Sequence, residues 1–529
     1  MPNTSNENKN EDIYVASIDI GTNSTHLLIA QINTDLKTFS IKFTEKSTTR
    51  LGERDDEGNL TEESIKRVLE TLKRFKEYCL SYGVKKILAA ATSAVRESPN
   101  GRDFIKTIKD SIGFNIELIS GSEEARLIYL GVLSGMALDN KSHLIIDIGG
   151  GSTEIILADS EDTRALTSAR VGAVRLKNDF FDEAPLTNSR IKFIKTFIQG
   201  SLEPSIGKIN RRIDKNKQIS LIATSGTAIA LANLISAELG EPKQKMHGYK
   251  FKKNNLDALL EKLIKMSANE RRKIPSLSDR RAEIIIPGGL ILETSLRLLN
   301  IDELTISERA LREGLVVDWM IRKGMLKSKF SMQSNIRKTT VIHQADKFGV
   351  NKLRAEKVAN LALEIYDQTQ DILHTDHKKY GRNLLWAACF LCNCGKQINL
   401  SAYHKHSWYL IKNCELLGYS ISEKNIIASI ARYHRKNMPK KRHESWQSII
   451  SREDKETVLD MSLILRLASS MDKRPDPSIA SVKISLINND ITFKLIPKKI
   501  RDDLLLEKWN LNSCEELLKD LKGLNLIII

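Results

Sequence analysis

A twelve-residue pattern occurs twice in this chain. Asp19-Ile20-Gly21-Thr22-Asn23-Ser24-Thr25-His26-Leu27-Leu28-Ile29-Ala30 returns 128 residues later as Asp147-Ile148-Gly149-Gly150-Gly151-Ser152-Thr153-Glu154-Ile155-Ile156-Leu157-Ala158, with six of the twelve positions identical. In both copies β-branched and apolar residues flank a polar, Gly-containing turn, which is a hairpin signal. The repeat predicts an internal duplication: two similar α/β domains, each contributing one hairpin to a shared cleft.

The segments between the copies fit α/β alternation. Ile65, Val68, Leu69, Leu72, Phe75 and Leu80 recur at helical spacing, with Thr61 as N-cap and Ser81-Tyr82-Gly83 as the stop. Lys86 to Ala91 reads as a buried strand, residues 115–119 as a short strand, and 122–136 as a helix opened by Glu123-Glu124. A third turn, Thr224-Ser225-Gly226-Thr227, follows an expected strand at 221–223. A fourth, Pro287-Gly288-Gly289, follows an expected strand at 283–286 and opens an expected helix at 290–299. From about 315 strand signals vanish and helical patterns run to about 475. After Pro475-Asp476-Pro477 strands are expected at 481–487, 491–496 and 524–529, with a helix at 514–521. The expected organisation is a polar tail at 1–12, α/β domains at 13–138 and 139–316, a helical domain at 317–476 and a small α/β domain at 477–529.

Composition excludes several classes. Apolar residues make up 41% and charged ones 28% of 529 residues, so wholesale disorder is excluded. No apolar run approaches the ~18–20 residues of a membrane span. The acid- and amide-rich start shows no secretory signal, and six Cys are no disulfide framework, so a cytoplasmic location is expected. The formal charge of +16 is uneven: residues 311–529 hold 37 basic and 24 acidic residues, whereas 1–310 are nearly balanced at 45 and 42. A basic surface attracts polyanions or merely keeps a chain soluble.

Gly-rich turns between strands present backbone N–H groups toward one point and bind phosphate oxygens. Gly149, Gly150, Gly151 and Ser152 form one such cradle; Gly21, Thr22, Asn23 and Ser24 form its counterpart. A carboxylate beside a phosphate cradle repels the ligand unless a divalent cation intervenes, and Mg²⁺ suits carboxylates plus phosphate oxygens. Asp147, Glu154 and Asp19 are therefore the metal candidates, with a turn-capping role as the plain alternative for Asp19. Glu124, if it faces the cleft, can deprotonate a water for attack on a terminal phosphorus; otherwise it only complements the helix dipole. Arg96, after the Thr92-Ser93 turn, is placed to contact phosphate oxygens or lies on the surface.

These residues resemble the exopolyphosphatase/guanosine pentaphosphate phosphohydrolase family of the actin-like ATPase superfamily. The matching stretches are residues 19–24, 91–97, 120–128, 147–154, 224–227 and 310–314, in order over the first ~315 residues. The resemblance implies two actin-like (ribonuclease H-like) α/β domains, with Glu124 as catalytic base, Asp147 as the main metal-linked carboxylate, and both hairpins with Arg96 holding the terminal phosphates. Residues 401–407 and 432–436 resemble the long members, whose helical domain is related to HD-type phosphohydrolases and which often dimerise, so a homodimer is expected. This chain departs from the HD pattern: Cys392-Asn393 stands where a His-Asp or His-Glu pair would bind metal, so a binding role is expected there. Cys389, Cys392 and Cys394 are read as core.

Arg432, Arg435, Lys436, Lys440 and Lys441, with His434 among them, form a stretch without acids. It is either a solvated loop or a track for a long polyanion. Aromatics are sparse, which favours phosphates without bases over nucleic acid. The expected activity is removal of terminal orthophosphate from inorganic polyphosphate. Alternatives are hydrolysis of the guanosine pentaphosphate 5′ γ-phosphate, an actin-like ATPase or sugar kinase, and a polyphosphate-binding scaffold without turnover.

Overall fold

A computed structural model describes residues 13–138, 141–160, 162–181, 186–214, 219–242, 244–326, 336–375 and 381–529. It divides into two compact units, one ending at residue 336 and the other spanning 337–529. The polar segment at 1–12 lies outside the described residues.

The first unit holds two sheets. One contains β1 (Ile13–Ile20), β2 (Thr25–Asn33), β3 (Thr38–Ser47), β4 (Lys86–Ala91) and β5 (Ile116–Leu118), in the order β3-β2-β1-β4-β5. The other contains β6 (Ser142–Ile148), β7 (Thr153–Ala158), β8 (Thr163–Ala169), β9 (Ile219–Thr224), β10 (Lys250–Lys252) and β11 (Glu303–Ile306), in the order β8-β7-β6-β9-β11-β10. In each, three antiparallel strands are followed by parallel neighbours: β1 pairs with β4 and β6 with β9. Strand for strand, β8-β7-β6-β9-β11 repeats β3-β2-β1-β4-β5. The duplication seen in twelve residues therefore extends to sheet topology.

Helices Gly121–Leu133 and Leu311–Arg322 lie between the sheets. One apolar cluster joins Val15 and Leu28 of the first sheet, Ile145 and Ile156 of the second, and Leu127, Leu130, Val316 and Val317 of these helices. The helices cross closely because two glycines permit it. A Cβ on Gly131 would collide with the Ala310 backbone, and one on Gly314 with the Leu127 carbonyl. Arg126 fixes the pair, bonding Glu123 at 2.7 Å and Asp318 at 2.8 Å. Helix Glu62–Ser81, N-capped by Thr61 as expected, buries Val68, Leu72 and Phe75 on the outer face of the first sheet.

One expectation fails here. Residues 283–286 form no strand; helix Ile285–Leu299 already begins there, with Pro287 in its first turn. A short apolar run bounded by Gly and Pro does not distinguish a strand from a helix buried on all sides. Thirteen residues of this helix are buried, and Pro is tolerated in a first turn, whose N–H groups have no intrahelical partner.

The second unit is helical up to residue 470, with helices Lys352–Gln368, Gly381–Leu391, Tyr403–Asn413, Ile421–Tyr433 and Arg452–Ser470. It closes with a sheet of β12 (Ile479–Ile487), β13 (Asp490–Pro497) and β14 (Asn525–Ile528) in that order. Helices and sheet share one core: Val358, Ala362, Phe390 and Leu465 join Ile479, Ile491, Phe493 and Leu518. Cys389, Cys392 and Cys394 are buried in it, and burial pushes their thiols up. Among the described residues no helix is long and apolar enough to cross a membrane.

Candidate active site

The two hairpin turns close in the same way: Gly21 N–H donates to the Ser24 carbonyl at 3.1 Å, and Gly149 N–H to the Ser152 carbonyl at 2.9 Å. They meet at small residues. A Cβ on Gly150 would lie 2.8 Å from Thr22 Cβ, and one on Gly151 would lie 2.5 Å from Ser93 Oγ. The Thr22 hydroxyl in turn lies 3.1 Å from that of Ser93. The turns bound a cleft of about 190 Å³ lined by Asp19, Gly21, Thr22, Asn23, Ser24, Glu124, Asp147, Gly149, Gly150, Ser152 and Glu154. Most of the expected site residues are thus brought together. Gly151 and Arg96 stand behind this lining.

Glu124 reaches the cleft because Ser120 caps its helix, accepting from Glu123 N–H at 3.2 Å, and so places Glu124 in the first turn. Arg96 Nη1 donates to the Ile119 carbonyl at 2.7 Å and to Glu124 Oε2 at 3.3 Å. The guanidinium is therefore held against Glu124. Glu154 accepts from Ser168 Oγ at 2.7 Å.

Four buried carboxyls in one cleft all have their pKa values raised. Burial first raises Asp19 to about 6 against the pull of Arg312, Asp147 to about 7 with Glu124 adding to it, and Glu154 to about 8 with Asp147 adding to it. Burial and then Glu154 push Glu124 well above the usual carboxylate range, while Arg96 pulls it down. A buried anion costs several kcal/mol unless paired, so this cleft favours a cation. Asp19 Oδ1 is buried without a hydrogen-bond partner. Among the described residues no group of three or more His, Cys, Asp or Glu is arranged to hold a metal alone. The donor set fits Mg²⁺, which binds through one or two carboxylates and completes its shell with water and phosphate oxygens.

The cleft is also lined by basic groups, and sequence reasoning missed most of them. His26, Lys46, Arg281 and Arg312 also line the cleft. Asp19 pairs across the ladder with His26, and His26 with Lys46, so three strands present one row. Counting register outward from Asp19 would have found both. Burial, then Arg312, lowers the His26 imidazole well below its usual range. Burial, then Arg281, lowers Lys46 to about 8. Arg281 lies where a Cβ on Gly226 would be, over the start of helix Ser225–Glu238. Ser225 there has φ +87°, a strained conformation for a residue other than Gly. Thr224 offers no side-chain cap, so the first N–H groups of that helix remain open to an anion.

The second unit carries its own cavity, of about 600 Å³. Arg354, Lys396, Arg435, Lys436, Arg466 and Lys473 line it, with Asp472 as its one carboxylate, paired to Arg354 at 2.7 Å. Asn393 faces it, where an HD-type site would need a metal ligand. Lys396 and Arg435 each stack on Tyr403, at 5.0 and 5.1 Å. His434 lies 3.3 Å from the Tyr403 hydroxyl, and burial lowers it to about 3. Of the expected track, His434, Arg435 and Lys436 line this cavity; Arg432, Lys440 and Lys441 do not. Arg432 stacks instead on Trp408 and Tyr433.

Both units match known proteins. Residues 28–323 match the Ppx/GppA phosphatase family, and residues 336–516 match Ppx/GppA phosphatase, domain III. The crystal structure of the Aquifex aeolicus family member is 29% identical, covering 59% of this chain and 98% of its own, with a TM-score of 0.51. An exopolyphosphatase from Cytophaga hutchinsonii is 29% identical over the same shares, with a TM-score of 0.54. The two matches together span both units, and the chain belongs to the Ppx/GppA phosphatase family.

Proposed function

We propose that the chain is a Mg²⁺-dependent exopolyphosphatase. The observation that carries this reading is Glu124, buried in a cleft between two glycine turns, with Arg96 favouring its ionised form. Glu124 takes a proton from a water as that oxygen bonds the terminal phosphorus. The bond from that phosphorus to the bridging oxygen breaks; the shortened chain keeps the oxygen and orthophosphate is the product. Backbone N–H groups of 22–24 and 150–152 orient the terminal phosphate, those of Gly21 and Gly149 being used to close the turns. Asp147, Glu154 and Asp19 would hold Mg²⁺, which when bound would offset charge on the phosphoryl oxygens.

Two observations support the polymer over a nucleotide. The Cytophaga hutchinsonii neighbour is an exopolyphosphatase. The second unit has a cavity lined by six cations, in which Tyr403 is already stacked by Lys396 and Arg435, an arrangement suited to phosphates without bases. The same cleft would also accept the 5′ end of guanosine pentaphosphate. Phosphate release from long polyphosphate and from guanosine pentaphosphate, each with and without Mg²⁺, tests the reading. A higher kcat/KM for the polymer, lost without Mg²⁺, is expected. The opposite preference would make the chain a guanosine pentaphosphate phosphohydrolase.

A further inference from the structure

A smaller cavity, of about 110 Å³, lies on the far side of the Thr22–Asn23 turn from the carboxyls. It shares Thr22, Asn23 and Ile284 with the main cleft, so these residues form the partition between the two. Its other walls include Arg50, Lys177 and Arg280. Its volume is several times the ~30 Å³ share of one water, enough for a small anion but not a chain. Its two carboxylates are ion-paired: Glu53 with Arg67, and Glu283 with the cavity's own Arg50 at 3.5 Å and with Arg272 at 3.8 Å. Among the described residues Lys177 and Arg280 have no ion-pair partner.

The partition is strapped from behind. Arg50 N–H donates to the Asn23 carbonyl at 3.0 Å and Gly52 N–H to the Thr22 carbonyl at 2.8 Å. Arg50 adopts φ +47°, a left-handed conformation uncommon for Arg. Its pair with Glu283 joins the first sheet's lobe to the second's. Both side chains are partly exposed, so the pair is weak and opens readily.

A polymer creates a traffic problem. If a long chain stays in the mouth of the cleft between turnovers, orthophosphate formed beneath it cannot leave the same way. We infer that the cavity lined by Arg50, Lys177 and Arg280 is the exit site for product orthophosphate, with the Arg50–Glu283 pair as its outer gate. This rests on the polymer reading above.

The test separates chemistry from release in the full chain carrying Lys177→Glu or Arg280→Glu. Rapid quench reads phosphate formed, and a fluorescent phosphate sensor reads phosphate released. With long polyphosphate, formation should stay within about twofold while release slows about tenfold. With tripolyphosphate, whose short remnant vacates the mouth, release should change by less than about twofold. Lys177→Gln, which removes the cation without adding an anion, should fall between and controls for misfolding. Unchanged release on long chains, or equal slowing on both substrates, overturns the exit site. A wild-type protein that forms no phosphate from polyphosphate would instead overturn the polymer reading, and the need for a second exit with it.

Discussion

Asp147 and Glu154 stand directly opposite one another on β6 and β7, at the register position that Asp19 and His26 occupy on β1 and β2. The next strand outward adds Ser168 in one sheet and Lys46 in the other. Duplication thus kept the leading aspartate and changed its neighbours. One lobe presents two carboxyls, the other a carboxyl, an imidazole and an ammonium. On the polyphosphate reading proposed above, the carboxyls would hold the cation at the attacked phosphoryl group and the basic groups would meet the remaining phosphates.

Glu124→Gln should lower kcat on polyphosphate by ~10²–10⁴-fold, the usual contribution of a positioned base, while KM shifts by no more than a few-fold. Steady-state phosphate release with a binding assay checks this. Normal turnover in the variant would remove Glu124 from the chemistry.

The raised carboxyls make stability pH-dependent in a defined direction. Their unfolded values lie near ~4, whereas the folded ones lie at about 6 for Asp19, about 7 for Asp147 and about 8 for Glu154. In that window the folded state binds more protons, so stability falls as pH rises. The contribution is fully present below the unfolded values and is lost as pH climbs through 6 to 8. Without divalent cations, Asp147→Asn should therefore flatten the decline in Tm between pH 5 and pH 8. Added Mg²⁺ should raise the wild-type Tm more at pH 8 than at pH 5, because the ion competes with protons. Thermal melts across pH, with chelator or Mg²⁺, read both effects.

Gly151→Ala tests the contact between the hairpin turns. Its Cβ would sit 2.5 Å from Ser93 Oγ and 3.0 Å from Thr22 Oγ1, so these hydroxyls or the turn itself must give way. A displacement of that size should cost on the order of 10–10²-fold in kcat/KM. Overpacking of this kind costs ~1–3 kcal/mol, so Tm should also fall by a few degrees. A variant with wild-type kcat/KM would show that the turns tolerate separation.

Charge reversal at Arg435 and Lys436 should raise KM for long polyphosphate several-fold more than for tripolyphosphate, in a salt-sensitive manner. Equal effects on both substrates would detach the second-unit cavity from substrate binding.

What could be read from the sequence follows from how locally each feature is encoded. The hairpins, the Thr61 cap and the cleft carboxylates rest on contiguous motifs with strong turn chemistry, and they lie where expected. Residues 283–286 were misread because three isoleucines before Pro and Gly look alike in a buried strand and a buried helix. Lys46 and Arg281 were missed because their roles are tertiary: one joins Asp19 through two ladders, the other reaches over a distant helix start. The track was half legible. A run of cations records charge, but helix end and turn geometry decided that Arg435 and Lys436 face the cavity while Arg432 packs on aromatic rings.

The single core of the second unit has a further consequence. Because Ile479, Phe493 and Leu518 are packed into the same interior as Val358 and Leu465, no truncation near residue 476 can remove the terminal sheet cleanly. It would uncover the helices' apolar faces and leave an aggregation-prone remnant. A shortened chain that keeps a sound fold would therefore have to lose this unit whole.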